Sequence, residues 1–298
     1  MISILIPSYN YNTLPLVEDL YEQVRLEAIE FEIIVADDAA PENEITAINT
    51  KINELDCCQF IRNPTNLGRG QNRNQLVRIA KYDWILFLDC DTIPQSKNFI
   101  KLYIDSIKQK TVQAVFGGII YDKKRPIDDE MLRWVFGKSR EEIRLKKRKS
   151  APFHYTLISN ILIEKKILKS HPFSSKLVNY GYEDIAFVLE LKRNKISISH
   201  IENPVFHLNL EKSAVFLEKY HSSLENLKLA IDNDIISAED TSLTRLYMKL
   251  KNLRLLRFSV FLFNCFKKLI TKNLISKNPS LFLFDLYRLG YFCHINLR

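Results

Sequence analysis

Short apolar runs alternate with amphipathic stretches through the first part of the chain. Residues 2–6, 31–36, 59–62 and 84–88 are rich in Ile, Val, Leu and Phe, the pattern of strands buried on both faces. Between them, residues 14–28, 42–55, 70–80 and 96–110 read as helices, with Pro15 in the first turn of the first. A further strand is predicted at 114–121. This alternation predicts an α/β protein with a mostly parallel central sheet flanked by helices. In such sheets ligands lie beyond the carboxyl ends of the strands.

The pattern changes after residue 121. Residues 122–150 are charged and Pro-interrupted, with a basic run at 144–149. They read as a loop or helical excursion over the sheet, and as the candidate lid. Structure resumes at 156–163, and a helix begins near Glu183 with Ile185, Val188 and Leu189 on its apolar face. Short strands at 196–199 and 205–208 precede a helix at 214–233. The expected organisation is a catalytic body at 1–212, with halves 1–121 and 122–212, and a helical basic extension at 213–298.

Charge sharpens that division. The whole chain of 298 residues carries +8, but residues 243–298 hold 11 Lys/Arg and one acid, Asp285. The other 32 basic and 34 acidic residues leave the body near neutrality, unlike a uniformly basic nucleic-acid binder. The tail's apolar stretches, 255–266 and 281–292, are broken by Arg257 and by Asp285 and Arg288. Neither reaches the ~18–20 apolar residues of a membrane span. Basic residues interleaved with Leu, Ile and Phe instead predict amphipathic helices on an anionic membrane surface. The competing expectation packs Phe258, Phe261, Leu262 and Phe266 on the body or across a homodimer. Five cysteines, an odd count without metal-ligand spacing, predict a reducing compartment. The N-terminus has no signal-peptide pattern. The expected location is cytoplasmic, peripheral on the inner face of the plasma membrane.

The strand ends carry the chemistry. Pro7-Ser8-Tyr9-Asn10 ends the first strand, Asp37-Asp38 the second, and Asn66-Leu67-Gly68 follows the third. Asp89-Cys90-Asp91 ends the fourth. Two carboxylates one residue apart point to the same side of an extended chain. There they could share Mn²⁺ or Mg²⁺ with a diphosphate; a solvated turn is the bland alternative. Further on, Gly181-Tyr182-Glu183-Asp184 delivers two acids to the first turn of a helix, where the dipole favours carboxylates. A base for a sugar hydroxyl needs an ionised, positioned carboxylate.

In this order, the segments at 3–10, 33–38, 66–68, 73–74, 86–91 and 179–184 resemble the family 2 glycosyltransferases. The resemblance spans about Ile2 to Leu208 and implies the GT-A fold. It implies nucleotide-sugar contacts at Pro7, Tyr9, Asn10, Asp38, Asn66, Gly68, Arg73 and Asp89, with metal at Asp89 and Asp91. Asp184 becomes the catalytic base of an inverting reaction, with Glu183 on the acceptor. His207 is similar to a histidine that completes the metal shell in galactosyltransferase-like members. Arg148, as a diphosphate contact, and Asn160, near donor and acceptor, occupy further family positions. The implied donor is UDP-linked, and the acceptor a glycan or lipid-linked glycan in cell-surface synthesis. The alternatives are a non-catalytic nucleotide-sugar or glycan-binding relative and a sugar nucleotidyltransferase. Intact Asp89, Asp91 and Asp184 argue against the first. The absence of a Gly-rich basic loop after the first strand argues against the second.

Overall fold

The computed structural model describes every residue except Lys110, Thr111, Val178 and Arg298. The chain opens with β1 (Ile2–Ser8), α1 (Leu14–Arg25), β2 (Phe31–Asp37), α2 (Glu44–Thr50), β3 (Cys58–Arg62), α3 (Arg69–Ile79) and β4 (Trp84–Leu88). There follow β5 (Thr92–Pro94), α4 (Phe99–Lys108), β6 (Ala114–Phe116), β7 (Ile119–Ile120), α5 (Met131–Arg140), α6 (Leu145–Ser150) and α7 (Pro152–Tyr155). Then come β8 (Asn160–Glu164), α8 (Lys165–Ser170), α9 (Glu183–Arg193), β9 (Ile198–His200) and β10 (Val205–His207). Four helices close the chain: α10 (Ser213–Asp232), α11 (Ser242–Asn252), α12 (Leu256–Leu274) and α13 (Leu281–Ile295).

Seven strands form one sheet in the order β3-β2-β1-β4-β8-β6-β9. Strand β1 lies inside it, with Ile4 opposite both Ile33 and Leu86 in parallel register. Its side chains alternate as the pleat requires. Ile2, Ile4 and Ile6 pack with Leu16, Val17 and Leu20 of α1 and Tyr103 of α4. Leu5 packs with Leu76 of α3 on the other face. Among the described strands of this sheet, only β8 runs against its neighbours, antiparallel to both β4 and β6. It also interleaves the two expected halves, because a strand from 122–212 is inserted between two from 1–121.

Several boundaries differ from the sequence reading. The strand expected at 114–121 is broken at Gly117-Gly118, so β6 joins the large sheet and β7 a small one. A Cβ on Gly117 would stand 2.3 Å from the carbonyl oxygen of Asn203, and Gly118 has φ +106°. The backbone turns where only glycine fits. The helix expected at 42–55 ends at Thr50, and Lys51–Glu54 continues as a 3₁₀ turn. The expected helix end at Lys110 lies outside the described residues.

The small sheet, β5-β10-β7, was legible only in part, since β5 carries no apolar run. It matters because its register sets His207 opposite Thr92, one residue from Asp91.

The tail is packed on the body. Leu224, Leu227 and Ala230 of α10 bury against Phe292 of α13 and Leu243 of α11. Phe216 and Leu217 of α10 join Leu132 of α5 and Phe284 of α13 in a second cluster. Among the described residues, no helix is long and apolar enough to cross a membrane.

Candidate active site

A cavity of about 480 Å³ opens where β1, β2 and β4 end. Pro7, Ser8 and Tyr9 follow β1 along one wall, and Asp38, Asn66 and Gly68 form the next. Asp38 holds its loop together. Its Oδ1 accepts from Asn63 and from the Leu67 amide, and its Oδ2 from the Gly68 amide, each at 2.9 Å. Gly68 can donate this way because it has φ +77° at the start of α3. Asn10 is adjacent but exposed, its backbone at φ +49° and its side chain bonded to Asn43 at 2.7 Å.

Helix α3 then aims two guanidinium groups, four residues apart, at one face. Arg69 donates to Asp89 Oδ2 and Arg73 to Asp89 Oδ1, both at 3.0 Å. Arg73 also donates to Asp184 Oδ1 at 2.6 Å. Its side chain is fully buried, with its guanidinium carbon 5.4 Å from the Phe173 ring centroid. Burial alone would raise the Asp89 carboxyl, but Arg69 and Arg73 outweigh it and hold the group below its ordinary range.

Asp184 arrives on the first turn of α9. The preceding backbone is bent to left-handed values at Gly181 (φ +91°) and Tyr182 (φ +66°). Helix α10 clamps this turn, with Asn226 Nδ2 donating to the carbonyls of Asn179 and Gly181. Glu183 is buried behind the rim, its Oε1 3.7 Å from Arg69 and its Oε2 without a partner among the described residues. Burial, reinforced by Asp184, pushes its carboxyl up against the pull of Arg69.

Asp89 and Asp91 do not act as an extended pair. The chain turns after β4, with the Thr92 amide donating to the Asp89 carbonyl at 3.2 Å. Asp89 therefore faces the arginines while Asp91 Oδ2 faces His207 Nε2 at 3.5 Å. Burial pushes the Asp91 carboxyl up, with His207 opposing and Asp89 adding to the rise. Burial lowers the His207 imidazole, favouring the neutral form that ligates metals. Arg133 of α5 also approaches His207 Nε2, at 3.2 Å, and Tyr121 stacks on the ring at 5.3 Å.

Among the described residues, no three His, Cys, Asp or Glu side chains are grouped to hold a metal unaided. Asp91 and His207 nonetheless fit a hard or borderline divalent ion whose remaining ligands come from a diphosphate and water. His207 Nδ1 is buried without a hydrogen-bond partner among the described residues. Asp89 does not fit as a direct ligand in this arrangement, because both its oxygens are taken by arginines.

Two further expectations are displaced. Arg148 does not line the cavity. It is buried beneath Gly118, donating to the carbonyls of Ile143 and Ile201, so it braces the β6–β7 break. Asn160 is likewise buried, donating to the carbonyls of Gly118 and Asn203 and accepting from Tyr103. Its neighbour Ser159 reaches the cavity instead. The sequence reading missed Arg69, Arg133, Tyr180 and Lys219, which complete the site. For Arg69 a signal existed, its spacing of four from Arg73. Arg133 and Lys219 come from segments read as excursion and extension.

This mainly parallel sheet, with acids and arginines around its carboxyl edge, has the GT-A fold of solved glycosyltransferases. It belongs to glycosyl transferase family 2, whose sequence profile matches residues 3–171. It is 26% identical over 274 residues to an uncharacterized glycosyltransferase of Mycoplasma genitalium, covering 85% of each chain. The S. aureus TarS 1-349 structure in complex with UDP-GlcNAc superposes with a TM-score of 0.51 at 16% identity, covering 100% of this chain and 92% of that one. Glucosyl-3-phosphoglycerate synthase from Mycobacterium tuberculosis, in complex with Mn²⁺, UDP and phosphoglyceric acid, gives 0.53 at 16% identity and 78% of each chain.

Proposed function

We propose that the chain is an inverting hexosyltransferase that moves a sugar from a UDP-linked donor to an acceptor hydroxyl on a glycan or lipid-linked glycan. One observation carries this reading: Asp89, Asp91 and Asp184 surround a single cavity at the strand ends, and Arg73 binds the first and the last of them. The solved relatives with UDP-GlcNAc and with UDP and Mn²⁺ support the donor class and a divalent ion.

The nucleoside fits the wall formed by Pro7, Tyr9, Asp38 and Asn66, which leads its diphosphate toward Asp91 and Arg69. Asp91 and His207 would hold the divalent ion, which when bound supplies Lewis-acid neutralisation of the leaving diphosphate. Arg69 and Arg133 add positive charge on the same side. The acceptor enters past Asn179, Tyr180 and Lys219. Arg73 fixes Asp184 through Oδ1, so Oδ2 takes the hydroxyl proton. The acceptor oxygen bonds to the anomeric carbon as its bond to the diphosphate breaks, and approach from the opposite face inverts the centre. Glu183 lies buried behind Asp184, 3.7 Å from Arg69 and away from the cavity lining, so Asn179, Tyr180 and Lys219 take the acceptor contact that the resemblance gave to Glu183.

The test is a screen of purified protein against UDP-sugars with Mn²⁺, reading donor hydrolysis and then transfer. EDTA is expected to abolish turnover and Mn²⁺ to restore it. Asp184→Asn is expected to lose about a thousand-fold or more in transfer, while calorimetric UDP affinity stays within a few-fold. A variant keeping a tenth of wild-type transfer removes Asp184 from this role.

A further inference from the structure

Helix α12 lies on the outer side of the tail and has two faces of different character. Phe263 and Leu274 turn inward, with Phe263 edge-on to Tyr287 of α13 at 5.4 Å. The opposite face carries Phe258, Phe261, Leu262, Phe266 and Leu269 in solvent, with Phe258, Phe261 and Leu269 57%, 61% and 66% exposed. Steps of three, four and seven residues align these positions into one stripe along the helix. Single exposed apolar side chains are ordinary, whereas a continuous aromatic row marks a docking face.

Charge identifies what the face receives. Helices α11 and α12 contain no acidic residue. Arg257, Lys268 and Lys272 flank the stripe, and none has a carboxylate within 4.0 Å among the described residues. The one acid in residues 243–298, Asp285, is already held by Arg140 at 2.6 Å and Arg288 at 3.3 Å. A second copy docked through this stripe would set two basic edges against each other. An anionic lipid surface accepts both the aromatic row and its basic border.

We propose that α12 docks the protein on anionic phospholipid, lying in the plane of the interface with Phe258, Phe261, Leu262 and Leu269 among the acyl chains and Arg257, Lys268 and Lys272 on the headgroups. The docked helix orients the body as well as retaining it. Helix α13 joins it to α10, and Arg125 donates to Asn278 in the connecting loop. This inference stands independently of the sugar-transfer reading, because its test reads binding alone.

The experiment is vesicle flotation of the full chain on phosphatidylglycerol-containing and pure phosphatidylcholine vesicles, at about 50 mM and about 500 mM salt. Two double variants accompany it, Phe258→Ser with Phe261→Ser and Lys268→Glu with Lys272→Glu, all at solvent-facing positions. Thermal melts confirm that both remain folded. Binding is expected only to the anionic vesicles, about ten-fold weaker at high salt and at least ten-fold weaker in each variant at low salt. Equal binding to both vesicle types, or variants that bind like the wild type, overturns the proposal. So does light scattering that shows a dimer which the Phe258→Ser, Phe261→Ser variant splits, because that outcome assigns the stripe to a second copy.

Discussion

Arg73 is the residue on which the site turns. Its fully buried guanidinium serves two carboxylates that come from different parts of the chain, Asp89 after β4 and Asp184 on α9. Removing one partner of a buried ion pair typically costs about 3–5 kcal/mol, because the charges left behind stay desolvated. Arg73→Met is therefore expected to lower stability by roughly 3 kcal/mol or more and to abolish transfer. Arg73→Lys should restore part of the stability but little turnover, because an ammonium cannot span both acids with a planar fork. Chemical denaturation beside a transfer assay checks both, and wild-type turnover in Arg73→Lys would reduce the residue to a charge. The acids themselves were legible in the sequence because each ends a strand or starts a helix. Their pairing was not. Arg69, Arg73, Glu183 and Asp184 meet only when α3 and α9 pack on the same face of the sheet. Arg148 shows the opposite failure, since a basic run says nothing about which member turns inward.

Among the elements, the turn before α9 most directly sets the position of Asp184, the proposed base. Gly181 has φ +91°, and a Cβ there would lie 2.5 Å from the Ser223 Cβ on α10. Gly181→Ala combines backbone strain with a collision against a packed helix. It is expected to cost about 2 kcal/mol, within the range for strained non-glycine residues, and to lower kcat far more than UDP affinity. A melt and calorimetry together would show it; unchanged kcat would mean that the turn does not position Asp184. The glycine was legible as a turn residue, but its packing partner lies some 40 positions along the chain. The alternation of strands and helices in residues 1–121 was legible for the same reason that it forms, because each run satisfies its own backbone and buries one or both faces. The Gly117-Gly118 break was hidden within an apolar run, since only the approach of Asn203 makes those glycines necessary.

At the scale of the molecule, the tail is part of what holds the site. Helix α10 contributes Lys219 to the cavity and Asn226 to the α9 turn, and its own apolar face is covered by α11 and α13. A cut before α11 would uncover Leu224 and Leu227, which are fully buried, and Phe216. Each buried side chain of that size contributes about 1.5–3 kcal/mol. Deleting residues 243–298 is thus expected to give an insoluble or strongly destabilised protein. A soluble truncated chain with full donor hydrolysis would instead restore the separable extension that composition suggested. Charge segregation in the sequence marks the tail as basic, but its inward packing depends on partners far along the chain, on α10 and at Leu132 of α5.

The reversed strand β8 has a mechanical consequence. Because it is stitched between β4 and β6, its ladders on both sides would have to be torn for residues 1–121 to swing against 122–212. Among the described residues, this pairing ties the two stretches of chain into one sheet. If a substrate is enclosed, the expectation is that the segments laid across the rim, α5 and the turn before α9, do the closing over a sheet held together by β8.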